Sequence, residues 1–336
     1  MFEFVFKIQL FADAGSVVNT TTDSGMSSAM KTFYDTALLE NARAEAVYGQ
    51  IGKQQALPAH HGKTVEWRKW NTLPAPDKLE EGVIPNGKKF GQSAIDVTIA
   101  QYGEYVTVSD VLELHAVDDV ILGATEEVGA AMGKEADLLT RDALLAGSTV
   151  VQYASAGGTA PSGISGVGKT HLFTPDEVAR AVTTLKKGNA PTIDGKYIAV
   201  IHPSVAYDLR KDQAWINYHQ YDASTEIFTG EIGELHGVRF VESTNAPVMA
   251  GGASGAKVYA TMIFGRDAFG VVAPEGAGME MIIKSKEQAG GPLNQFSTIG
   301  GKMSHAAKVL YPERMVTVYS GSSFSDTDEA NWVERD

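Results

Sequence analysis

Thr64-Val65-Glu66-Trp67-Arg68-Lys69-Trp70 reads as a strand, and Ile95, Val97 and Ile99 alternate with Asp96, Thr98 and Ala100 as a second. Between them run about two dozen residues dense in turn formers, a length uncommon inside a compact domain. Pro74, Pro76, Gly82, Pro85, Gly87 and Gly91 supply the turns. The flanks are patterned rather than low in complexity, so the segment reads as a projecting hairpin. A lone two-stranded hairpin is marginal in water. It needs a partner surface, most simply another copy of the chain.

Upstream, Phe2, Phe4, Phe6, Ile8 and Leu10 alternate with polar residues, the period of a half-buried strand. A Gly/Ser/Thr-rich link over residues 13–28 follows. Met30, Phe33, Tyr34, Ala37, Leu38 and Ala42 then predict a helix over 29–48. Downstream, Ser109 can cap a proline-free stretch reaching Gly147, with a break near Val117. Its stripe runs through Val120, Ile121, Ala124, Val128, Ala131, Met132, Leu138, Leu139 and Leu145, and predicts a helix of roughly 40 Å. Gly123, Gly129 and Gly133 weaken it locally and permit close packing.

Beyond a Gly/Ser-rich linker (154–168), helix and strand alternate. Thr174-Pro175-Asp176-Glu177 reads as a capping box opening a helix that Gly188 closes. Tyr197–Ile201, ending at His202-Pro203, reads as a buried strand, as do Val238–Val241, Val258–Phe264 and Phe269–Val272. Met281–Ile283 and Met315–Tyr319 continue a mostly β pattern. The end of the chain, acidic around Asp326, Asp328 and Glu329, reads as a mobile tail.

The composition narrows the function. The chain has 336 residues and a formal net charge of −13, a length that suggests about two domains. That charge argues against a phosphate-tracking nucleic-acid binder. With no cysteine, disulfides, thiolate metal sites and cysteine nucleophiles are excluded. No apolar run is long enough to span a membrane, and Glu3 and Lys7 interrupt any leader-like start. The expectation is a soluble protein kept in a reducing cytosol.

One motif invites a catalytic reading. Gly163-Ile164-Ser165-Gly166-Val167-Gly168-Lys169-Thr170 satisfies the phosphate-loop expression G-x-x-x-x-G-K-[ST]. Such a loop needs a strand directly before it and a helix beginning at the Lys-Thr pair. Here linker residues precede it and the next helix starts only at Thr174, so Gly163, Gly168, Lys169 and Thr170 read as a chance match. His60-His61 lies in a Pro/Gly loop without a nearby carboxylate, and His115, His171, His202, His219, His236 and His305 are scattered. Asp118-Asp119 reads as a solvated helix face or terminus. Lys88-Lys89 is too short for a nucleic-acid patch, and Trp67 and Trp70 read as packing in a strand rather than stacking bases. No catalytic, metal-binding or cofactor-binding set assembles.

A resemblance covers nearly the whole chain in order. Residues 197–210 (YIAVIHPSVAYDLR), 230–242 (GEIGELHGVRFVE) and 258–270 (VYATMIFGRDAFG) resemble the major capsid proteins of tailed bacteriophages. The likeness is greatest to the coat-protein family typified by the N4-like phages. Leu10-Phe11-Ala12, Leu79–Val83, Gln101–Val106 before Ser109-Asp110, Pro292–Gln295 and Lys302 agree. At Gly300-Gly301 the resemblance would call for an aromatic residue, a departure that concerns local packing.

The resemblance implies an α+β chain with the Hong Kong 97-type phage capsid fold. Its parts would be an N-terminal arm and helix (1–62), an extended hairpin loop (63–108), and a spine helix with part of a peripheral domain (109–173). An axial domain (174–275), a return to the peripheral domain (276–320) and a flexible tail (321–336) would complete it. It implies a non-enzymatic homo-oligomer of hexamers and pentamers, an icosahedral shell enclosing double-stranded DNA without sequence-specific binding. Such a shell would assemble in the host bacterial cytoplasm, end in the virion, need no membrane or cofactor, and leave room for scaffolding, portal and decoration proteins. Some members crosslink subunits through a Lys–Asn isopeptide bond, but no motif places one here. An encapsulin-like cellular compartment shares the fold, and a P-loop nucleotide-binding protein is the alternative of a different class.

Overall fold

The computed structural model describes residues 47–58, 62–79, 81–82, 84, 86–116, 119–216, 231–274, 279–289, 293–325 and 328–332. All described residues belong to one compact unit, Arg43–Asp336. The predicted strand over Phe2–Leu10, the link over 13–28 and nearly all of the 29–48 helix lie outside the described residues. So do His60-His61, the break at Val117-Asp118, His219, and Pro292.

The chain runs α1 (Tyr48–Ile51), β1 (Lys53–Leu57), β2 (Thr64–Trp70), β3 (Gln92–Thr98), β4 (Ala100–Ser109), α2 (Asp110–His115) and α3 (Val120–Ala146). Then come β5 (Val151–Tyr153), α4 (Pro175–Lys187), β6 (Tyr197–Ile201), α5 (Pro203–Lys211), β7 (Glu231–Leu235), β8 (Val238–Glu242) and β9 (Val248–Met249). β10 (Val258–Phe264), β11 (Phe269–Pro274), β12 (Met279–Lys284), β13 (Phe296–Val309) and β14 (Met315–Ser320) follow.

One sheet runs β5-β14-β10-β6-β8-β7, with β9 beside β10. Successive strand residues point to opposite faces, and both faces here are covered. Tyr197, Ala199, Ile201, Tyr259, Ile263, Val316 and Val318 meet Val178, Val182 and Leu185 of α4 and Val205 and Leu209 of α5. The alternate residues Ile198, Val200, Ala260, Met262, Phe264 and Met315 meet Tyr48 of α1, Leu144 and Leu145 of α3, and β11. Two-sided burial explains why β6 is an uninterrupted apolar run and β10 is apolar except for the buried Thr261. At about 1.5–3 kcal/mol per buried large side chain, this layer dominates the stability of the body.

A second sheet is organised on β13. It pairs antiparallel with β4 from Phe296↔Ser109 to His305↔Ala100 and with β12 from Thr298↔Lys284 to Met303↔Met279, and its last residues pair with β11. β1 adds to β11 in parallel. Across this sheet lies α3, whose Val128 and Met132 pack with Met303. Asp119 caps α3 by accepting from the Ile121 and Leu122 amides at 3.1 Å, and Gly147 ends it. Ser109 caps the short α2 before the break.

The glycines on β13 each sit in a close contact. A Cβ at Gly301 would lie 2.8 Å from Met132 Cγ and 3.0 Å from Val128 Cγ1, so an aromatic side chain there requires α3 side chains to move, and a Cβ at Gly300 would lie 3.2 Å from Glu104 O and Tyr105 Cβ on β4. The small-residue contact lies on β13 rather than on α3. Gly123, Gly129 and Gly133 face open space within the subunit, contrary to the expectation of close packing there.

Other expectations need correction. The capping box does not form: Thr174 makes no side-chain cap. Glu177 is buried and accepts from the Ser155 amide (2.9 Å) and hydroxyl (2.6 Å) and pairs with Arg180 at 2.8 Å. A buried carboxylate must be satisfied, and these partners serve it better than a frayed helix end. The strand at Tyr197–Ile201 leads directly into α5, which the sequence reading missed; His202 Nδ1 caps it by accepting from the Ser204 amide at 3.2 Å. Nor is 321–336 a flexible tail over its described residues. Ser323 binds Asp208, Asp328 accepts from Ser204 Oγ and the Tyr259 hydroxyl at 2.6 Å, and Trp332 packs on the core.

Candidate assembly interface

β2 and β3 form a two-stranded sheet of their own, in register from Thr64↔Thr98 to Trp70↔Gln92. Alternation sends Val65, Trp67 and Lys69 to one half-buried face. Trp67 lies against Gly270 of β11, where a Cβ would come within 2.7 Å of the indole. Lys69 pairs with Glu313 at 3.0 Å and, with Arg314, lies over the Tyr311 ring, the two cations 4.3 and 3.8 Å from its centroid. Burial works to raise the Glu313 carboxyl, but a backbone hydrogen bond and Lys69 hold it below the usual range. Indole packing, an ion pair and two cation–π contacts thus fix the base of the hairpin to the body.

Beyond this anchor the chemistry changes. The Asn71 amide donates to Gly91 O at 3.0 Å, Ser93 Oγ to Asn71 Oδ1 at 2.7 Å, and Trp70 stacks on Phe90 at 4.3 Å. Lys88 pairs with Asp77 at 3.2 Å. These contacts shape the tip without covering it: Trp70 is 61 % exposed and Ile84 92 %, and Leu73, Leu79 and Phe90 are exposed too. A second uncovered apolar area lies where α2 meets the start of β13. The Asp110 amide donates to Gln295 O and Lys286 pairs with Glu113, while Val111, Leu114 (78 % exposed), Leu293 and Phe296 face outward. Contiguous exposed apolar side chains of this size mark interaction surfaces.

The phosphate-loop match folds differently from a phosphate cradle. Ile164–Gly166 is a short 3-10 turn. The Gly166 and Val167 amides donate to Gly163 O and Ile164 O, and the Gly168 amide donates to His171 Nδ1 at 3.0 Å. Three amides that would hold a phosphate are already taken, and no helix begins at Lys169-Thr170; α4 starts at Pro175. His115 ends α2, His236 occupies the β7–β8 turn, and Asp119 caps α3. Among the described residues no three potential metal ligands come together.

The sequence reading missed a buried polar cluster on α3. Asp137, Arg141 and Asp142 are buried, although their i, i+4 spacing looks like a surface ion pair. The available signal was the flanking Leu138-Leu139 and Leu144-Leu145: a helix apolar on every side is buried, and its charges must be paired. Nearby, Thr140 Oγ1 donates to Ala136 O and lies 2.9 Å from His305 Nε2. With its proton so directed, the hydroxyl accepts, which places the His305 proton on Nε2.

Burial pushes His305 below its ordinary value of 6.5, and also His202, against the pull of Asp328. Below pH 6.5 the unfolded chain therefore binds more protons than the folded one, and stability falls as pH drops toward the lower folded values. Asp137, raised by burial, acts in the opposite sense above its unfolded value of 3.8. Comparing variants isolates the histidine. The melting temperature of His305→Gln, which keeps an N–H beside Thr140, should fall less between pH 7 and 5.5 than that of the parent chain; parallel curves would refute the assignment.

An extended hairpin, a long helix across a sheet and a covered α/β layer make up the architecture of phage capsid subunits. The chain superposes on the capsid protein of cyanophage P-SCSP1u with a TM-score of 0.67 at 16 % identity, over 91 % of this chain and 97 % of that one. For cyanophage Pam1 the TM-score is 0.67 at 15 % identity, over 94 % and 100 %. For Helicobacter pylori bacteriophage KHP30 it is 0.70 at 8 %, over 91 % and 99 %. At such identities the likeness is one of fold. No curated protein matches in sequence. The model of the phage capsid protein family matches residues 92–318, and the chain belongs to that family. It is a major capsid protein, a subunit of a multimeric shell in the virion.

Proposed function

We propose that the chain builds an icosahedral head of hexamers and pentamers around double-stranded DNA, with a Hong Kong 97-type subunit most like the N4-like coat proteins. The observation that carries this is the hairpin: its base is anchored to the body, while its apolar tip has no cover among the described residues. Residues 63–108 would then act as the extended loop, 109–173 as spine and part of the peripheral domain, 174–275 as the axial domain and 276–320 as the return. The arm (1–62) and the loop would reach neighbouring subunits during assembly in the host bacterial cytoplasm. Scaffolding, portal and decoration proteins would act on this lattice, and the role is structural rather than enzymatic. A net charge of −13 suits a container, since strong phosphate contacts would impede movement of the DNA.

The chain has no cysteine, so Ile84→Cys gives a single thiol at a tip position that is 92 % exposed. Its reaction with a soluble thiol reagent should be fast in the free subunit. In shells it should slow by about tenfold for every 1.4 kcal/mol of burial. Equal rates in both states would refute burial of the tip between subunits.

A further inference from the structure

Two chain segments far apart in sequence converge on the buried charges of α3. Asp137 Oδ1 accepts from the Val47 amide (3.0 Å) and the Tyr48 amide (2.8 Å), and its Oδ2 accepts from Asn245 Nδ2 at 2.9 Å. The Asn245 carbonyl accepts from Arg141 Nη1 at 3.0 Å. Arg141, 1 % exposed, also donates to Asn331 Oδ1 (3.2 Å) and O (2.9 Å), and its Nε and Nη2 reach Asp142 Oδ1. Asn331 in turn accepts from the Val248 amide at 2.9 Å and donates to Ala246 O at 3.0 Å. Asn245 is therefore the bridge. Its side chain serves the carboxylate that holds residues 47–48, and its carbonyl serves the guanidinium that holds residue 331.

We propose that this cluster couples the seating of Val47-Tyr48 to the docking of the C-terminal segment at Asn331, so that releasing either loosens the other. The physical reason is the cost of partial satisfaction. A buried ion that loses one partner is left with an uncompensated charge, and networks in low dielectric gain or lose strength together. Withdrawing Asn331 strips Arg141 of two acceptors and frees the loop 244–248 to which Asn331 is tied. Asn245, on that loop, then holds Asp137 less well. Residues 47–48 lead into α1 and β1, so the C-terminal segment regulates how firmly that end of α1 is fixed. The coupling operates within one subunit, and its failure would leave the shell reading untouched.

Amide hydrogen exchange on the full-length unassembled chain tests it. Asn331→Ala should speed exchange of the Tyr48 amide by roughly tenfold, within the usual range for coupled sites. Asp137→Asn should, by reciprocity, speed exchange of the Val248 amide by a similar factor. A chain ending at Ala330 provides a second form of the C-terminal release, and it should reproduce the Tyr48 effect. Exchange changes confined to each variant's own segment would overturn the proposal, as would a Tyr48 amide unaffected by both Asn331→Ala and the truncation.

Discussion

A chain in which residues 71–91 are replaced by a short Gly-Ser link folds with the parent's thermal transition and forms no shells. The described contacts of the segment stay within the hairpin: Trp70 with Phe90, Lys88 with Asp77, Asn71 with Gly91 and Ser93. The anchor remains, because Trp67 on Gly270 and Lys69 on Glu313 and Tyr311 lie outside the deletion. Body stability should therefore change by no more than about 0.5 kcal/mol, the usual effect away from packed features. Assembly loses Leu73, Leu79, Ile84 and Phe90, each contributing about 1.5–3 kcal/mol when fully buried. Repeated around every subunit, that is the difference between a closed lattice and a solution of monomers. Sedimentation and circular dichroism read the two halves of the prediction; parent-like particle yields would contradict it.

Arg141→Met is the second large effect, and it acts on the subunit itself. The substitution fills similar space but removes the guanidinium that donates to Asp142 and to the carbonyls of Asn245 and Asn331. Breaking a buried charge pair by removing one partner costs about 3–5 kcal/mol. In a body of this size that corresponds to a melting-temperature drop of roughly 10 °C. Arg141→Lys should recover only part of it, since an ammonium cannot serve Asp142, Asn245 and Asn331 with the fork geometry that guanidinium provides. A drop below about 2 °C for Arg141→Met would show that the cluster contributes little.

The elements that the sequence revealed are those whose local chemistry agrees with their place in the fold. Thr64–Trp70 shows its alternation because one face leans on the body and the other meets water. Val258–Phe264 shows a nearly continuous apolar run, broken only by Thr261, because both faces are covered. α3 shows its limits through Asp119 and Gly147. β13, which organises a sheet, was invisible: Gly300, Gly301, Ala306 and Ala307 stand where a strand usually carries branched side chains, with α3 close over Gly301 and β4 close beside Gly300. Asp328 reads as solvated because its partners, Ser204 and Tyr259, come from far upstream in the chain. The hairpin, the core of the candidate interface, was legible from turn formers and flanking strands. The Arg141 cluster was not, since Asp137 and Arg141 one turn apart have the same spacing on a buried helix as on an exposed one.

The most direct measurement is electron microscopy of the purified full-length protein under conditions that favour association, with sedimentation velocity on the same sample. A capsid subunit whose hairpin tip is covered only by its neighbours should give closed, hollow particles of uniform diameter. A species that stays strictly monomeric or dimeric across those conditions would contradict the account.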